Sequence, residues 1–116
     1  MHFNFDEKSE FIRLCILDDV IDFNNISDFK VLLDTKVKNR EEAVVLDLSE
    51  VSYIGSVGLG MISLTAVALK EADRNLVIVC STDEVRRLFK ISGLMRVLTV
   101  VESEREAERV ITESDD

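Results

Sequence analysis

Short apolar runs recur along the chain at intervals that predict a mixed α/β fold. FNF at 3–5 predicts a short strand that pairs with the next run as a hairpin. The later runs are rich in valine and almost continuously apolar, which is typical of strands covered on both faces. The predicted longer strands are FIRLCIL (11–17), AVVLDL (43–48), NLVIVC (75–80) and RVLTVV (96–101).

Helical spacing fills the segments between and after these strands. One apolar face is formed by Ile26, Phe29, Leu33 and Val37. LGMISLTAVALKEA (59–72) predicts a second helix, and STDE (81–84) matches a capping box in which Ser81 and Glu84 open a third helix that ends at Gly93. Ser103 and Glu106 form a second capping box that opens a last helix. Strand, helix and strand in this order predict a right-handed crossover.

The predicted architecture is therefore a single α/β domain with a four- to five-stranded mixed sheet and about four helices packed against it. A chain of 116 residues with 47% hydrophobic residues is long enough for one packed core and too short for two. We place the domain at residues 1–112. The polar residues 113–116 are expected to form a frayed tail.

The formal charge of −9 makes binding to nucleic acid or to an anionic membrane improbable, because phosphates would be repelled. A protein partner is the better expectation. No apolar run approaches the ~18 residues that would span a bilayer. The first ten residues lack the pattern of a secretory signal, so we expect a cytoplasmic protein. Cys15 and Cys80 lack metal-site or disulfide spacing, and we interpret both as small buried hydrophobes.

The stretch YIGSVGLG (53–60) contains three of the four glycines of a chain that has no proline. It follows a predicted strand and precedes a predicted helix, so Ser56 is expected to be the N-cap residue of that helix. Gly55 is expected to supply a positive φ, and Gly58 and Gly60 to keep the first turn free of side chains. The result would be an accessible serine at a helix N-terminus.

Three catalytic or nucleotide-binding motifs can be tested against this stretch, and each fails. A P-loop needs a lysine directly after its last glycine, and the nearest downstream lysine is Lys70. The order GxxGxG differs from the dinucleotide fingerprint GxGxxG. A nucleophile elbow needs a glycine where Ile54 stands, and the only histidine is His2. We therefore predict no enzyme activity, no catalytic residue, no cofactor and no metal.

The two remaining interpretations of Ser56 are a plain helix cap and a modification site. A phosphate on Ser56 would lie at the positive end of a helix, beside free N–H groups that stabilise an anion. The group adds roughly −1.5 to −2 charges to the surface. Asp47, which ends the preceding strand, is expected to brace the loop near this serine. The helix from Leu59 to Leu69 is apolar on more than one face, so an exposed residue on it could anchor a partner.

Two segments together resemble the STAS domain of the anti-sigma factor antagonist family. VVLDLSEVSYIGSVGLGMI (44–62) resembles the signature in which an apolar strand is followed by DLS and then by D-S-x-G-L-G. RRLFKISGLMRVLTV (86–100) resembles a second signature, a helix that ends at an (S/T)-G-L turn. The resemblance covers nearly the whole chain.

The resemblance implies a bacterial partner switch. In such switches an anti-sigma factor, often also a serine kinase, phosphorylates the antagonist and thereby releases it, and a phosphatase restores binding. Ser56 falls on the phosphoacceptor position, and Asp22 falls on the aspartate of an early loop that the fold places near the serine. The implied partner-binding residues are Asp22, Gly55, Ser56, Val57, Gly58 and Leu59.

The chain departs from the family pattern at two positions. Gly55 stands where the family has an aspartate, and Asp19 stands where its early loop has a glycine. A second hypothesis is therefore a STAS scaffold that is not phosphorylated and serves as a subunit of a signalling or transport assembly. A third hypothesis, a module that binds a nucleotide phosphate at the glycine turn, is the weakest, since the turn holds no lysine or arginine.

Overall fold

The computed structural model describes residues 1–96 and 98–113 of the chain. The elements are β1 (Phe3–Glu7), β2 (Phe11–Ile16), β3 (Val20–Ile21), α1 (Ile26–Leu32), β4 (Ala43–Asp47), β5 (Tyr53–Ile54), α2 (Ser56–Glu71), β6 (Leu76–Val79), α3 (Asp83–Ile91), β7 (Thr99–Val101) and α4 (Glu104–Glu113). Five strands form one sheet in the order β1-β2-β4-β6-β7, in which β1 and β2 are antiparallel and the other neighbouring pairs are parallel. This arrangement confirms the predicted α/β class, mixed sheet and hairpin.

Helices cover both faces of the sheet, as the continuously apolar strands predict. One face packs against α1, α2 and α3 through a large core cluster that contains Phe29 and Phe89, both fully buried. The other face packs against α4, where Ala107 and Ile111 meet Val45 and Val77. Each central strand thus buries its two alternating sets of side chains against different helices.

The helix predicted from Ile26 changes its winding halfway. Its first part is α1, and its second part, Leu33–Lys38, is a π-helix. Phe29, Leu33 and Val37 are buried on one face as predicted. In the part of the chain that the structure describes, none of the helices is long and apolar enough to cross a membrane.

Several predicted element ends need correction. The third helix is capped by Thr82, whose Oγ1 accepts from the Val85 N–H at 3.4 Å, whereas the Ser81 hydroxyl donates to the Ser49 carbonyl. The last strand is only β7, because Arg96 belongs to a 3₁₀ turn at Leu94–Arg96. Val97 and residues 114–116 lie outside the described residues.

Other predicted ends agree with the structure. Gly93, with φ of +79°, follows α3, where a left-handed residue is favoured at a helix end. The Ser103 hydroxyl accepts from the Glu106 N–H, as its predicted capping role requires. The last helix continues through Thr112 to Glu113, one residue into the segment assigned to the tail.

Cys15 and Cys80 are buried free thiols, and burial raises the pKa of both. Because the thiolate is the reactive form, neither sulfur should react while the protein is folded. We expect iodoacetamide at neutral pH to leave the native protein unmodified and to label both cysteines in denaturant, as measured by intact mass. Rapid labelling of the native protein would contradict this burial.

Candidate functional site

The candidate site is built where two loops from the same end of the sheet are joined. β3 and β5, two residues each, pair in parallel with Val20 opposite Tyr53 and Ile21 opposite Ile54. The Gly55 N–H extends the pairing by donating to the Ile21 carbonyl at 2.8 Å. The small second sheet therefore holds the two loops together, at the end of β3 in one loop and at the end of β5 in the other.

Hydrogen bonds between the two loops also form just before β3 and β5. The Ser52 N–H donates to the Asp19 carbonyl at 2.8 Å, and the Ser52 hydroxyl donates to the Asp19 carboxylate at 2.7 Å. The early-loop departure at Asp19 therefore has a structural partner in this chain. Ser52 thus braces the two loops against each other.

Asp22 lies beside the glycine turn, as the family resemblance implies. A methyl group placed on Gly55 would be 3.9 Å from the Asp22 Cα and 3.6 Å from the Ile21 carbonyl oxygen. The Asp22 carboxylate accepts from the Asn24 N–H at 2.9 Å. The backbone N–H of Asp22 donates to the side-chain oxygen of Asn25, also at 2.9 Å. These bonds hold the loop in one conformation next to Ser56.

Ser56 is exposed and is the first residue of α2, which corrects its predicted place by one position. Gly55 is the N-cap residue, with φ of −73° and ψ of 166°, so the expected positive φ at Gly55 is wrong. The extended conformation is open to any residue, and the space around Gly55 is that of ordinary van der Waals contact. Neither the backbone conformation nor the space for a Cβ therefore requires glycine at this position.

The first turn of α2 presents free backbone donors around the serine. The Leu59 N–H bonds to the Gly55 carbonyl, and the N–H groups of Ser56, Val57 and Gly58 find no acceptor among the described residues. The turn also holds no acidic side chain. Donors and the helix dipole together favour an anion at Ser56.

The remaining predicted partner-binding residues fall into two groups. Val57 is half-buried and borders a groove between α2 and the helical segment 26–38. Leu59 packs against the core cluster. Gly58 is buried, and a Cβ on it would be 2.8 Å from Ile54 Cγ2 and 3.0 Å from Ile21 Cγ2. Gly58 therefore lets α2 approach β3 and β5 closely, and this packing brings the start of α2 next to the loop that carries Asp22.

Two exposed aromatic residues flank the site, and sequence reasoning missed both. Phe23 at the tip of the Asp22 loop is 80% exposed, and Tyr53 in β5 is 52% exposed. An exposed aromatic ring beside a loop of asparagine and aspartate is a signal of a contact surface. Tyr53 was hidden because it lies in a short strand-like run where burial is the usual expectation, whereas the turn composition around Phe23 was a signal that could have been used.

A groove of about 550 Å³ leads away from Val57 between α2 and the helical segment 26–38. A Cβ added to Gly60 would meet no atom within 4 Å, so this glycine leaves the groove open, and Leu64 on the same wall is 70% exposed. Along the opposite rim, Asp34 binds Lys30 Nζ at 2.6 Å and Lys38 Nζ at 3.5 Å. The expected exposed apolar residue on this helix is therefore present.

Asp47 braces the loop that precedes the site, as predicted. Its carboxylate is buried, accepts from the Ser49 N–H at 2.9 Å and binds Arg13 at 3.1 Å. Arg13 also binds Asp6 and Glu104, which connects the end of β4 to β1 and to α4. Among the described residues no group of three or more His, Cys, Asp or Glu is placed to hold a metal ion.

Comparison with known proteins gives a consistent result. The STAS domain family model matches residues 8–107. The chain is 33% identical over 101 residues to BtrV of Bordetella bronchiseptica, a proposed anti-sigma factor antagonist, and the match covers 87% of this chain and 86% of that protein.

Solved structures share the fold at low sequence identity. An anti-sigma factor antagonist from Mycobacterium paratuberculosis superposes with a TM-score of 0.86 at 20% identity, over 96% of this chain and 93% of that chain. The Bacillus cell fate determinant SpoIIAA in its phosphorylated form superposes with a TM-score of 0.68 at 14% identity, over 94% of this chain and 99% of that chain.

Proposed function

Because the chain belongs to the STAS domain family, we propose that it is an anti-sigma factor antagonist controlled by phosphorylation of Ser56. The unmodified protein binds an anti-sigma factor that is also a serine kinase, and the phosphorylated protein does not. A cognate phosphatase restores binding. The proposal places the protein in the cytoplasm.

One observation carries the assignment of Ser56: an exposed hydroxyl on the first turn of α2, beside N–H groups that have no acceptor among the described residues. The name that BtrV carries, anti-sigma factor antagonist, supports the pathway, and the phosphorylated form of SpoIIAA supports a phosphate on this fold. The chemistry is a transfer catalysed by the partner. The Ser56 Oγ attacks the γ-phosphorus of the partner's ATP, a base of the kinase takes the hydroxyl proton, and ADP leaves.

The site explains why a phosphate would change binding and not folding. At the helix N-terminus the phosphate oxygens find N–H donors, so the folded state tolerates the group. The same group places roughly −1.5 to −2 charges beside Asp22, on a surface that binding must dehydrate. Leaving a charge buried and unpaired in an interface costs about 2–5 kcal/mol.

The proposed contact surface, which we call the switch surface, consists of Asp22, Phe23, Tyr53, Ser56 and Val57, and it continues along the groove to Leu64. Exposed aromatic and aliphatic side chains next to a switch serine are suitable anchors, because a few such residues carry most of an interface's energy. Gly58 supports the surface from beneath. The proposal needs no catalytic residue on this chain.

The direct test is binding of the purified protein to the anti-sigma factor kinases encoded by its host, measured by calorimetry without ATP and after incubation with ATP. We expect one of them to form a complex with a dissociation constant of about 1 µM or tighter, and ATP to dissociate it. Failure of every host anti-sigma factor kinase to bind would contradict the proposed function.

Leu64→Ala is expected to weaken binding of the anti-sigma factor by about 5- to 30-fold, since truncating an interface anchor costs about 1–2 kcal/mol. Stability should change little, because 70% of the side chain is exposed. Calorimetry measures the affinity, and Met95→Ala, which removes a partly exposed side chain after α3, serves as the matched control. Equal affinity of wild type and Leu64→Ala would remove the groove from the interface.

A further inference from the structure

A second cavity lies at the far end of α2 from Ser56. It has a volume of about 350 Å³ and is formed by the C-terminal end of α2, the starts of β6 and β7, and the 3₁₀ turn at 94–96. At the helical rise per residue, the span from Ser56 to Lys70 places the cavity roughly 20 Å from the switch serine. The side chains that matter for its chemistry are Lys70, Arg74, Met95, Arg96, Leu98 and Thr99.

Arg74 is the most unusual of these side chains, because it is a buried cation with a donor that is not used. Only 9% of the residue is exposed. Its Nε donates to the Glu42 carbonyl at 2.7 Å, which fixes the guanidinium, while its Nη2 is buried and has no partner among the described residues. Buried donors in native proteins are almost always satisfied, so the open Nη2 sets Arg74 apart from the other described cations.

No carboxylate among the described residues neutralises Arg74. Glu42, the nearest acidic residue in contact, directs its carboxylate to Arg40 at 2.7 Å instead. Burial is the largest influence on the pKa of Arg74 and lowers it, although the nearby charges of Glu42 and Glu41 act in the opposite direction. The dipole of α2 favours cations near this end, but it provides no acceptor for a buried N–H.

Two more cations border the same cavity. Lys70 and Arg96 are exposed, and neither makes an ion pair with the described residues. The cavity therefore brings three positive charges together in a chain whose net charge is −9. Such a field concentrates anions at the cavity.

We propose that this cavity binds a small organic anion, whose phosphate or carboxylate head contacts Arg74, Lys70 and Arg96 and whose apolar part packs against Met95 and Leu98. The volume lies within the range of small-molecule sites, which combine an apolar lining with a few convergent polar groups. Arg74 contributes a positive charge in the cavity wall, held in place by its bond to the Glu42 carbonyl, and the two exposed cations contact the ligand from the rim. The site is separate from the switch surface and does not depend on the proposed function.

The test is an NMR titration of backbone amides at constant ionic strength, with inorganic phosphate, adenosine monophosphate and succinate as separate probes. We expect saturable shifts at Lys70, Arg74 and Arg96 with a dissociation constant of about 1 mM or lower for at least one probe. A response to phosphate and the nucleotide alone assigns a phosphate head, and a response to succinate alone assigns a carboxylate head. Tighter binding of the nucleotide than of phosphate supports the apolar contact, and equal binding would overturn that part.

Variants of exposed side chains at the rim of the cavity test the proposal without disturbing the fold. The double variant Lys70→Ala with Arg96→Ala removes two exposed side chains and should weaken the best probe at least about 10-fold. Arg87→Ala, which removes an exposed cation outside the cavity, should leave the affinity unchanged. The absence of saturable shifts with all three probes at about 10 mM, or equal affinity of the double variant and wild type, would overturn the proposal.

Discussion

Ser56→Asp is expected to reduce the affinity of the protein for its anti-sigma factor by about 30-fold to several thousand-fold, which corresponds to about 2–5 kcal/mol. The new carboxylate follows directly on Gly55, which contacts the Asp22 loop, and binding would have to remove its water without supplying a counter-charge. Folding should persist, because a carboxylate on the first turn of α2 interacts favourably with the helix dipole. Calorimetry gives the affinity, and circular dichroism checks the fold.

Two matched variants separate the position of the charge from its presence. Ser56→Ala removes the hydroxyl without adding charge, so it should bind as tightly as wild type and should not respond to ATP. Ser9→Asp adds the same charge at an exposed position in the turn between β1 and β2, far from the site, and should bind normally. Wild-type affinity of Ser56→Asp would contradict the switch.

Gly58→Val is expected to destabilise the protein by about 3 kcal/mol. Its Cβ alone would lie 2.8 Å from Ile54 Cγ2 and 3.0 Å from Ile21 Cγ2, so both side chains must move away from α2. Overpacking of this kind costs about 1–3 kcal/mol, and the two further methyl groups of valine and its restricted rotamers in a helix add to it. Urea denaturation followed by circular dichroism measures the loss.

Gly60→Ala is the control for the helix itself, because a Cβ on Gly60 meets no atom within 4 Å. Replacing glycine by alanine inside a helix stabilises it by about 1 kcal/mol, so this variant should be more stable than wild type. Opposite signs at two glycines of the same helical turn would establish that contact with β3 and β5, not helix propensity, requires Gly58. A Gly58→Val protein as stable as wild type would contradict this packing.

The main sheet and its helices could be predicted from the sequence because each apolar run matches one buried element. β2, β4 and β6 are almost continuously apolar, apart from the paired Arg13 and Asp47, since α4 covers one face and the other helices cover the other. The face of the first helix was also predictable, because Phe29, Leu33 and Val37 recur with helical spacing whether the turn is α or π.

The smaller parts of the site could not be predicted because they depend on contacts between distant segments. β3 and β5 have two residues each and form only by pairing with each other, so no local hydrophobic periodicity predicts them. The same pairing draws Gly55 into the N-cap position by binding its N–H to Ile21, which displaces Ser56 into the helix. Thr82 replaces Ser81 as a cap because the Ser81 hydroxyl is bonded to Ser49.

The Arg74 cavity could not be predicted from the sequence either, because it too depends on contacts between distant segments. Its three cations come from the end of α2, the loop after it and the turn before β7, and Arg74 and Arg96 are far apart in sequence. In the sequence, Arg96 stands near the basic residues of α3, with which it forms only a local cluster. Burial of Arg74 and its open donor follow from packing against Glu42, which no local pattern encodes.

Phosphorylation of Ser56 can be measured from the intact mass, with peptide mapping, of the protein recovered from its native host under several growth conditions. We expect a fraction that carries one phosphate on Ser56 and that changes with condition, which would make Gly55 a tolerated departure from the family. A mass that never includes a phosphate in any condition would contradict the switch and favour a scaffold that is not phosphorylated.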